Sequence, residues 1–460
     1  MSFDSKTHSH SSEANSSHVA LEVCVLIGHG IEILTTAVVL ASVGQTVHLH
    51  ADMQILEQQL QQYSFEHHLQ ALWKMYSDQQ QIVLYPLSKR IDELIQYYES
   101  SETVANKIRH EATTVGLYWL FLGEETEGYL THDWINAFNY SHYQSTPLIL
   151  SGIEPLGHIS IVAERLQRAW VYYVPFLFLQ DGEAYSSMLT PSLWLLGEKT
   201  VDSQHKLKAL QPIMAHAREQ HIADIATIEF ARSSIMSMLA TRVSFMNEMS
   251  RLADSQDIDI QQVSRIMGLD ARVGSSYLQA GWGFGGHTLP VELRKLQQTA
   301  MQDCVDMPLL RAVMHINNDQ KELIFRKFWQ HFDGFIDNKT VMIWGGSYKA
   351  GSGRTEGSAI HPLLALLWSY NIRTLIYSDK AKAELAKRYS GQPLLELLDS
   401  PYHKLETVQA IFILSWSPQD KIDIAQVNQY ALPIFDAQAT FKRAQINLLI
   451  GDYIGIGRRK

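Results

Sequence analysis

The chain has 460 residues, a formal net charge of −10 and an isoelectric point near 6.0. This acidic balance argues against a large basic surface for nucleic acid or for an anionic membrane, although a local cluster of donors could still bind a small anion. A chain of this length exceeds a single hydrophobic core, so we expect two or three domains. The two cysteines, Cys24 and Cys304, predict no disulfide framework and no cysteine-based metal site, which favours a cytoplasmic location.

The chain begins with a polar segment. Residues 1–19 are rich in Ser, His and Asn and lack the apolar run of a signal peptide, so we predict a disordered leader. The most apolar runs, residues 115–122 and 170–179, are shorter than the about 20 residues that a membrane helix needs. We therefore expect no membrane span, and we interpret both runs as buried strands.

A βαβ pattern follows the leader. Residues 21–27 form a β-rich run that ends in Gly28-His29-Gly30, and a helical stretch and a second strand come next. This order is typical of a dinucleotide-binding unit, in which Gly28 and Gly30 let the backbone approach a pyrophosphate at the helix N-terminus. Ile33 replaces the third glycine of the fingerprint, and taken alone the partial motif fits an ordinary strand-to-helix turn better.

The end of the second strand offers a candidate carboxylate for a ribose. A dinucleotide site places an acidic residue there to accept a hydrogen bond from a ribose hydroxyl. Asp52 is the candidate, although the register could bring Ala51 to that position. With strand patterns at residues 115–122 and 147–151, the unit predicts an α/β fold with a doubly wound sheet. The glutamine-rich residues 54–81 keep enough Leu and aromatic side chains to form an irregular helical insert.

A long helix is predicted from His221 to Asp254, because this stretch contains neither Pro nor Gly. Glu229, Arg232 and Met236 stand at i, i+3 and i+7, so they could share one face that looks into a cleft. The plainer alternative is a surface Glu-Arg pair beside a core methionine. A second helical stretch, residues 309–332, precedes renewed strand and turn patterns, which predict a further α/β domain.

The densest glycine cluster lies between the two α/β patterns. Residues 281–286 hold four glycines in six positions, and His287 and Thr288 follow. Glycine adds no side chain to a core and costs backbone entropy where it is ordered, so we expect a loop whose backbone must approach something closely. A loop between two such domains is where a ligand cleft is expected. His287 could serve as a base there, but one histidine without an orienting partner is weak evidence for catalysis.

Several segments, in chain order, resemble the UDP-glucose/GDP-mannose 6-dehydrogenase family, whose members oxidise the C6 alcohol of a nucleotide sugar. The resemblance covers essentially the whole chain after the leader, and it is most specific in the central run, residues 240–286. The matching segments are the Gly28 turn and residues 178–184, 240–248, 268–274, 281–286, 348–349, 414–416 and 453–458.

The resemblance implies two Rossmann-like doubly wound domains joined by a central helical region with a long helix. It implies an NAD-binding domain over residues 20–205, a helical dimerisation region over residues 206–330, and a nucleotide-sugar-binding α/β domain over residues 331–460. It also implies a homodimer, a UDP- or GDP-linked sugar as ligand, and a place in the synthesis of polysaccharide precursors. In the family a cysteine thiolate captures an aldehyde intermediate, two NAD molecules are reduced, and water releases the acid.

The residues that carry this chemistry are substituted. Thr288 stands where the family has its cysteine, and an unactivated hydroxyl is a far poorer nucleophile than a thiolate. The family's helix lysine becomes Arg232, and an arginine, unlike a lysine, effectively never deprotonates. Cys24 and Cys304 are predicted to be buried, inert thiols that do not replace the nucleophile. The other substituted positions, which in the family hold an asparagine, an aspartate, a glutamate and an arginine, are Met236, Glu292, Leu177 and Gln438.

Positions that touch the sugar nucleotide in the family are better kept. They are Arg272, Tyr277, Leu278, Phe284, Gly285 and Lys349. Some act through backbone groups, which survive side-chain drift, and in the family the arginine at Arg272 reaches the substrate of the partner subunit. A surface ion pair is the alternative interpretation of both Arg272 and Lys349.

Three hypotheses follow from this combination. The one that we favour is a degenerate homologue, a pseudoenzyme that binds a nucleotide sugar or NAD, or that dimerises and acts as a regulatory partner. The second is an active nucleotide-sugar 6-dehydrogenase. The third is an oxidoreductase that stops at the aldehyde, which would not need the thiol.

Overall fold

The computed structural model describes residues 21–62, 66–87, 91–98, 113–123, 133–141, 144–177, 179, 182–417 and 420–459. The leader predicted over residues 1–19 lies outside the described residues. So do Phe178, Gln180 and Asp181 of one family-like segment. Within the described ranges, no helix is both long enough and apolar enough to cross a membrane.

The N-terminal part alternates strands and helices. Its strands are β1 (Leu21–Ile27), β2 (Thr46–Ala51), β3 (Ile82–Pro86), β4 (Thr113–Leu122), β5 (Leu148–Gly152), β6 (Val171–Tyr173), β7 (Trp194–Glu198) and β8 (Gln220–Asp224). Its helices are α1 (Ile31–Ser42), α2 (Met53–Gln62), α3 (His67–Asp78), α4 (residues 91–98), α5 (Asp133–Tyr140), α6 (His158–Arg165), α7 (Ala184–Leu189) and α8 (Gln211–His216). The helices α2 and α3 confirm the predicted helical insert.

In the described part of the chain these strands form one eight-stranded sheet in the order β3-β2-β1-β4-β5-β6-β7-β8. The strands are parallel except at the contact of β6 with β7. The order 3-2-1-4-5-6 is that of dinucleotide-binding sheets, and it opens a crevice at the carboxyl ends of β1 and β4. Successive side chains of β1 enter opposite cores, with Val23 and Val25 on one face and Cys24 and Leu26 on the other.

Two sequence boundaries differ from expectation. The apolar run at residues 170–179 is a strand only over Val171–Tyr173. Pro175 follows, and it has no N–H to donate to a neighbouring strand, so the prediction of one strand through residue 179 is wrong. The division into domains at residue 205 stays a prediction, although β8 lies beyond it and pairs with β7 in the first sheet.

The central region consists of α9 (Ile225–Ser255), α10 (Ile260–Leu269), α11 (Thr288–Gln302) and α12 (Pro308–His331). The long helix α9 has 31 residues, and Asp224 caps its start by accepting a hydrogen bond from the Thr227 backbone N–H at 2.9 Å. The helix begins after His221, because His221 still pairs with Leu195 in the first sheet. The prediction of one long helix linking the two α/β units is otherwise confirmed.

The C-terminal part is a second α/β unit. Its elements are β9 (Thr340–Trp344), α13 (Ile360–Ser369), β10 (Arg373–Tyr377), α14 (Lys382–Arg388), β11 (Leu395–Leu398), β12 (Ala410–Ile413), α15 (Ile424–Asn428), β13 (Ile434–Asp436), α16 (Arg443–Ile446), β14 (Tyr453–Gly455) and β15 (Arg458–Arg459). The described strands form a seven-stranded sheet in the order β11-β10-β9-β12-β13-β14-β15. Its first six strands repeat the dinucleotide order, so the predicted fold class, with two Rossmann-like units and a long connecting helix, is confirmed.

The last residues fasten the second unit to the central helices. Lys327 on α12 donates to the Asp254 carboxylate at 2.6 Å and to the Gly455 carbonyl at 2.8 Å. Arg458 forms an ion pair with Asp259 at 3.1 Å. These buried contacts hold the second sheet against α9 and α12, and the loop after α10 therefore runs between the central helices and this sheet.

Candidate functional site

The glycine loop, residues 281–286, is fixed by amide side chains of the central helices. The Gly281 N–H donates to Asn247 Oδ1 at 2.9 Å, and the Phe284 N–H donates to Asn317 Oδ1 at 2.7 Å. Asn317 Nδ2 donates back to the Phe284 carbonyl at 3.1 Å. These bonds satisfy buried backbone groups of the loop and hold it rigidly beside α9 and α12.

Protein groups crowd the glycines of this loop. A Cβ atom on Gly286 would lie 2.6 Å from the ring of Tyr348, and one on Gly285 would lie 2.5 Å from the carbonyl oxygen of Gly357. Gly286 also has a φ of 76°, a backbone conformation that other residues adopt at a cost. The expected close approach is therefore an approach to the C-terminal α/β unit itself.

An internal ion pair joins two positions, Arg232 and Glu292, that the resemblance assigns to a reacting centre. Arg232 on α9 donates to the carboxylate of Glu292 on α11, and both side chains are buried. The second oxygen of Glu292 accepts a hydrogen bond from Ser233 Oγ at 2.5 Å. Burial lowers the pKa of Arg232, whereas Tyr173 and Glu32 act in the opposite direction. The cation and the carboxylate thus neutralise each other, and neither is presented to a ligand.

Glu229, one turn earlier on α9, has a different partner. Its carboxylate accepts hydrogen bonds from the backbone N–H groups of Ile159 at 3.0 Å and Ser160 at 2.9 Å, and from the Ser160 hydroxyl. Burial raises the pKa of Glu229, and these hydrogen bonds oppose the rise. Glu229 therefore fastens α9 to the start of α6, and the alternative of a surface pair between Glu229 and Arg232 is wrong.

Met236, the third residue of the predicted face, is also buried. It stands one turn beyond Arg232, where the family's asparagine would supply an amide. A thioether offers only a weak acceptor, so this position supplies no strong hydrogen bond to a ligand. The predicted common face of Glu229, Arg232 and Met236 is thus buried, but its polar members are bound to protein.

Thr288 lies at the exposed start of α11, one turn before Glu292. The preceding residue, His287, places Nδ1 3.0 Å from Glu356 Oε1, across from the glycine-rich loop that follows β9. Both side chains of this pair are about half exposed, with 47% and 50% of their surface accessible. Sequence reasoning missed Glu356 as the partner of His287, because the two residues are 69 positions apart.

Neither cysteine offers an accessible thiol beside Thr288. Cys24 is buried in β1, and burial raises the pKa of its thiol to about 12, with Glu22 adding to the rise. Cys304 is exposed, so the prediction that it is buried is wrong. It sits in the turn after α11 with a φ of 56°. Because α11 rises about 1.5 Å per residue, Cys304 lies at the opposite end of the helix from Thr288.

The dinucleotide turn has the expected backbone but altered side chains. A Cβ on Gly28 would lie 2.7 Å from the Phe121 carbonyl oxygen, so this position requires glycine. Gly30 caps α1, and its N–H donates to Gln59 Oε1 at 2.9 Å. Ile33, at the third fingerprint position, is fully buried in the core beneath α1. The turn can therefore form without the third glycine.

Asp52 directly follows the last residue of β2, Ala51, so the register places the carboxylate just beyond the strand. Its Oδ1 accepts hydrogen bonds from the N–H groups of Gln54 at 2.9 Å and Ile55 at 3.1 Å. These bonds cap the start of α2. A role of Asp52 toward a ribose stays a prediction.

The residues that the resemblance assigns to sugar-nucleotide contacts differ in their solvent exposure. Arg272 is exposed and bonded to the carboxylate of Asp270 at 2.6 Å, and this contact lowers the Asp270 pKa. That arrangement is the surface ion pair considered as its alternative. Tyr277 is exposed with a φ of 59°, and Lys349 is exposed in the loop after β9. Leu278 and Phe284 are buried, and Gly285 is packed against Gly357.

The whole chain resembles solved structures in fold. It superposes on a UDP-glucose dehydrogenase from the archaeon Pyrobaculum islandicum with a TM-score of 0.76 and 17% identity, covering 96% of this chain and 99% of that one. It superposes on a UDP-D-ManNAc dehydrogenase from Pyrococcus horikoshii with a TM-score of 0.70 and 15% identity, covering 95% and 99%. At these identities the likeness concerns the fold alone. It defines the class as a two-unit α/β protein with the architecture of nucleotide-sugar dehydrogenases.

Sequence comparison narrows this class. Residues 226–319 match the profile of the UDP-glucose/GDP-mannose dehydrogenase family, central domain. The UDP-glucose 6-dehydrogenase of Pseudomonas aeruginosa is 30% identical over 288 residues, which are 61% of this chain and 64% of that protein. A second UDP-glucose 6-dehydrogenase, from Rickettsia conorii, is 27% identical over 66% of this chain and 71% of that protein. The match to the Pseudomonas protein therefore spans less than two thirds of its length. Over these matched segments the chain is similar to the UDP-glucose/GDP-mannose dehydrogenase family, and most specifically to its central domain.

Proposed function

We propose that this chain is a catalytically degenerate member of the UDP-glucose/GDP-mannose dehydrogenase family, which binds a UDP- or GDP-linked sugar without oxidising it and acts as a regulatory or structural partner. One observation supports the proposal: Arg232 and Glu292, which stand at positions of the family's reacting centre, form a buried ion pair with each other. A lysine can lose its proton and act as a base, whereas this guanidinium stays charged and is already bound. The position of the family's lysine thus supplies no titratable amine.

The nucleophile position supports the same proposal. Thr288 carries an exposed hydroxyl at the start of α11, and His287 beside it is bonded to Glu356. Loss of an activated nucleophile removes several orders of magnitude in rate, and changes in its supporting residues act on the same step. The third hypothesis, oxidation to the aldehyde only, would still require a base near the sugar hydroxyl.

Exposed groups at positions kept from the family support nucleotide-sugar binding. Lys349 is an exposed cation in the loop after β9, at the carboxyl edge of the second sheet, where open α/β sheets bind ligands. Arg272 is a second exposed cation, and its guanidinium can exchange the Asp270 carboxylate for a phosphate. Tyr277 adds an exposed aromatic ring between them in sequence.

Thermal unfolding with UDP-glucose, GDP-mannose and UDP-N-acetyl sugars tests the binding. A ligand at 100 times its dissociation constant stabilises the native state by about 2.7 kcal/mol, so one of these compounds should raise the melting temperature clearly. Lys349→Ala and Arg272→Ala should reduce the shift, and Lys387→Ala and Arg265→Ala, which remove exposed cations on helices α14 and α10, should not. If none of the compounds shifts the wild type, the chain acts without a nucleotide sugar.

Homodimerisation and a cytoplasmic location in polysaccharide-precursor synthesis complete the proposal. The helix α9 carries exposed apolar residues seven positions apart, Met238, Phe245 and Leu252. This spacing keeps apolar side chains on one side of a helix that packs against another helix. Sedimentation of the wild type should give a dimer, and Phe245→Glu should give a monomer. A monomeric wild type would refute this part.

The alternative function is an active NAD-dependent oxidoreductase that oxidises the C6 alcohol to the uronic acid or to the aldehyde. The pairing of His287 with Glu356 is the observation in its favour, because an orienting carboxylate is what the sequence alone could not supply for that histidine. NADH formation from a nucleotide sugar is expected under this alternative and is not expected of a catalytically degenerate protein.

A further inference from the structure

We infer that the dinucleotide turn after β1 is closed by the chain's own side chains, Glu32 and Gln59, and does not accept the pyrophosphate of NAD. The inference deepens the proposed function and rests on it, since a chain that oxidises its ligand must accept NAD. It concerns cofactor exclusion only, and it leaves nucleotide-sugar binding at the other sheet unaffected.

The first element of the closure is the hydrogen bond between Gly30 and Gln59. In a dinucleotide site, backbone N–H groups at the start of the helix point at the pyrophosphate. Here the N–H of the capping residue Gly30 is bound by Gln59 Oε1 at 2.9 Å. Gln59 lies on α2 and is 7% exposed, so its amide is held in place by packing. A phosphate oxygen could reach this N–H only by displacing a buried carboxamide.

The second element is a carboxylate at the same helix end. Glu32 stands in the first turn of α1, two residues after Gly30. Its Oε2 atom lies 3.0 Å from the position that a Cβ on Gly30 would occupy, so the carboxylate folds back over the turn. The positive end of a helix favours an anion, and this chain supplies that anion from its own sequence. A pyrophosphate at this point would face a like charge.

Fluorescence titration of the full-length protein with NADH tests the inference. The wild type should show no saturable binding up to about 1 mM, a concentration at which a cofactor with micromolar affinity would saturate. The double variant Glu32→Ala/Gln59→Ala should bind NADH at least about tenfold more tightly, corresponding to about 1.4 kcal/mol. Gln70→Ala is the matched control, because Gln70 also bonds to α2, through the Leu60 carbonyl at 2.7 Å, but lies away from the turn. It should bind no better than the wild type.

A second variant tests the same inference in case the double variant does not fold. Glu32→Gln keeps the shape of the side chain and the bond between Gly30 and Gln59 but removes the charge, so it should improve NADH binding most at low salt. Wild-type binding in the micromolar range would overturn the inference, as would a failure of both the Glu32→Gln variant and the folded double variant to gain affinity. Wild-type NADH binding without turnover would refute this inference alone, and turnover would refute the proposed function as well.

Discussion

Removing the charge of Glu292 perturbs the proposed reacting centre most directly. Glu292→Gln leaves the Arg232 guanidinium buried beside a neutral amide, and both side chains are almost fully buried in the native protein, at 4% for Arg232 and 1% for Glu292. Breaking a buried ion pair by removing one partner costs about 3 to 5 kcal/mol, because the remaining charge is left without compensation. We therefore expect a loss of stability in this range. The bond from Ser233 Oγ to Glu292 is weakened by the same change.

A double variant separates the interaction energy between Arg232 and Glu292 from the cost of leaving one buried charge without a partner. Replacing both partners, as Arg232→Met/Glu292→Leu, removes both charges and keeps an apolar filling of similar volume. Such replacements leave stability within about 2 kcal/mol of the starting protein or increase it. The single variants of this cycle are Arg232→Met and Glu292→Leu. If each of them lowers the stability by about 3 kcal/mol or more, the double-mutant cycle should give a coupling energy of at least about 4 kcal/mol.

Urea unfolding of the full chain, followed by circular dichroism and tryptophan fluorescence, measures these changes. A chain with several domains can unfold in more than one step, so the comparison concerns the transition that the substitution moves. Asp270→Asn is the control, since it breaks the exposed pair with Arg272 and should leave the midpoint unchanged. A loss below about 1 kcal/mol for Glu292→Gln would show that water reaches the pair, and the account of a closed reacting centre would then fail.

Three further predictions concern the nucleophile, the loop and a surface pair. Thr288→Cys alone should not produce NADH from any nucleotide sugar, and robust activity would show that the thiol was the only missing group. Gly286→Ala should lower the melting temperature more than Gly351→Ala, because both have a positive φ but only Gly286 faces the Tyr348 ring, and equal effects would contradict the crowding argument. The hydrogen bond with Glu154 raises the pKa of His158. Burial tends to raise the pKa of Glu154, but the contacts with His158 and Lys295 outweigh burial and lower this pKa. The bond's stabilisation is therefore complete between pH 4.5 and 6.5, the ordinary values of the two groups, and is lost as pH rises through the raised pKa of His158. Melting temperatures of His158→Ala and wild type should differ most in that window and converge at higher pH, and a constant difference would count against the pair.

The sequence predicts those parts of the fold that depend on local patterns. The β-rich run and the Gly28 turn indicate a dinucleotide-type unit, and spacing on a long helix brings Glu229, Arg232 and Met236 to one buried face. The absence of Pro and Gly predicts α9 to within a few residues. Each of these inferences needs only neighbouring residues.

The partners of these residues could not be predicted, because they are distant in sequence. Glu292 is 60 positions from Arg232, and Gln59 is 29 positions from Gly30. The glycine loop approaches a neighbour closely, as its composition predicts, but nothing local in the sequence indicates that the neighbour is the ring of Tyr348. Glu32, in contrast, could have been recognised, since an acidic residue in the first turn of a dinucleotide helix opposes a pyrophosphate.

The most direct test of the account is to incubate the purified wild-type protein with NAD and a nucleotide sugar and to follow NADH. UDP-glucose, GDP-mannose and UDP-N-acetyl sugars should each be tried, with heat-inactivated protein as the control. The account predicts no NADH above that control with any of them, even with a sugar that raises the melting temperature. Clear turnover with one of them would contradict it and establish the chain as an active dehydrogenase.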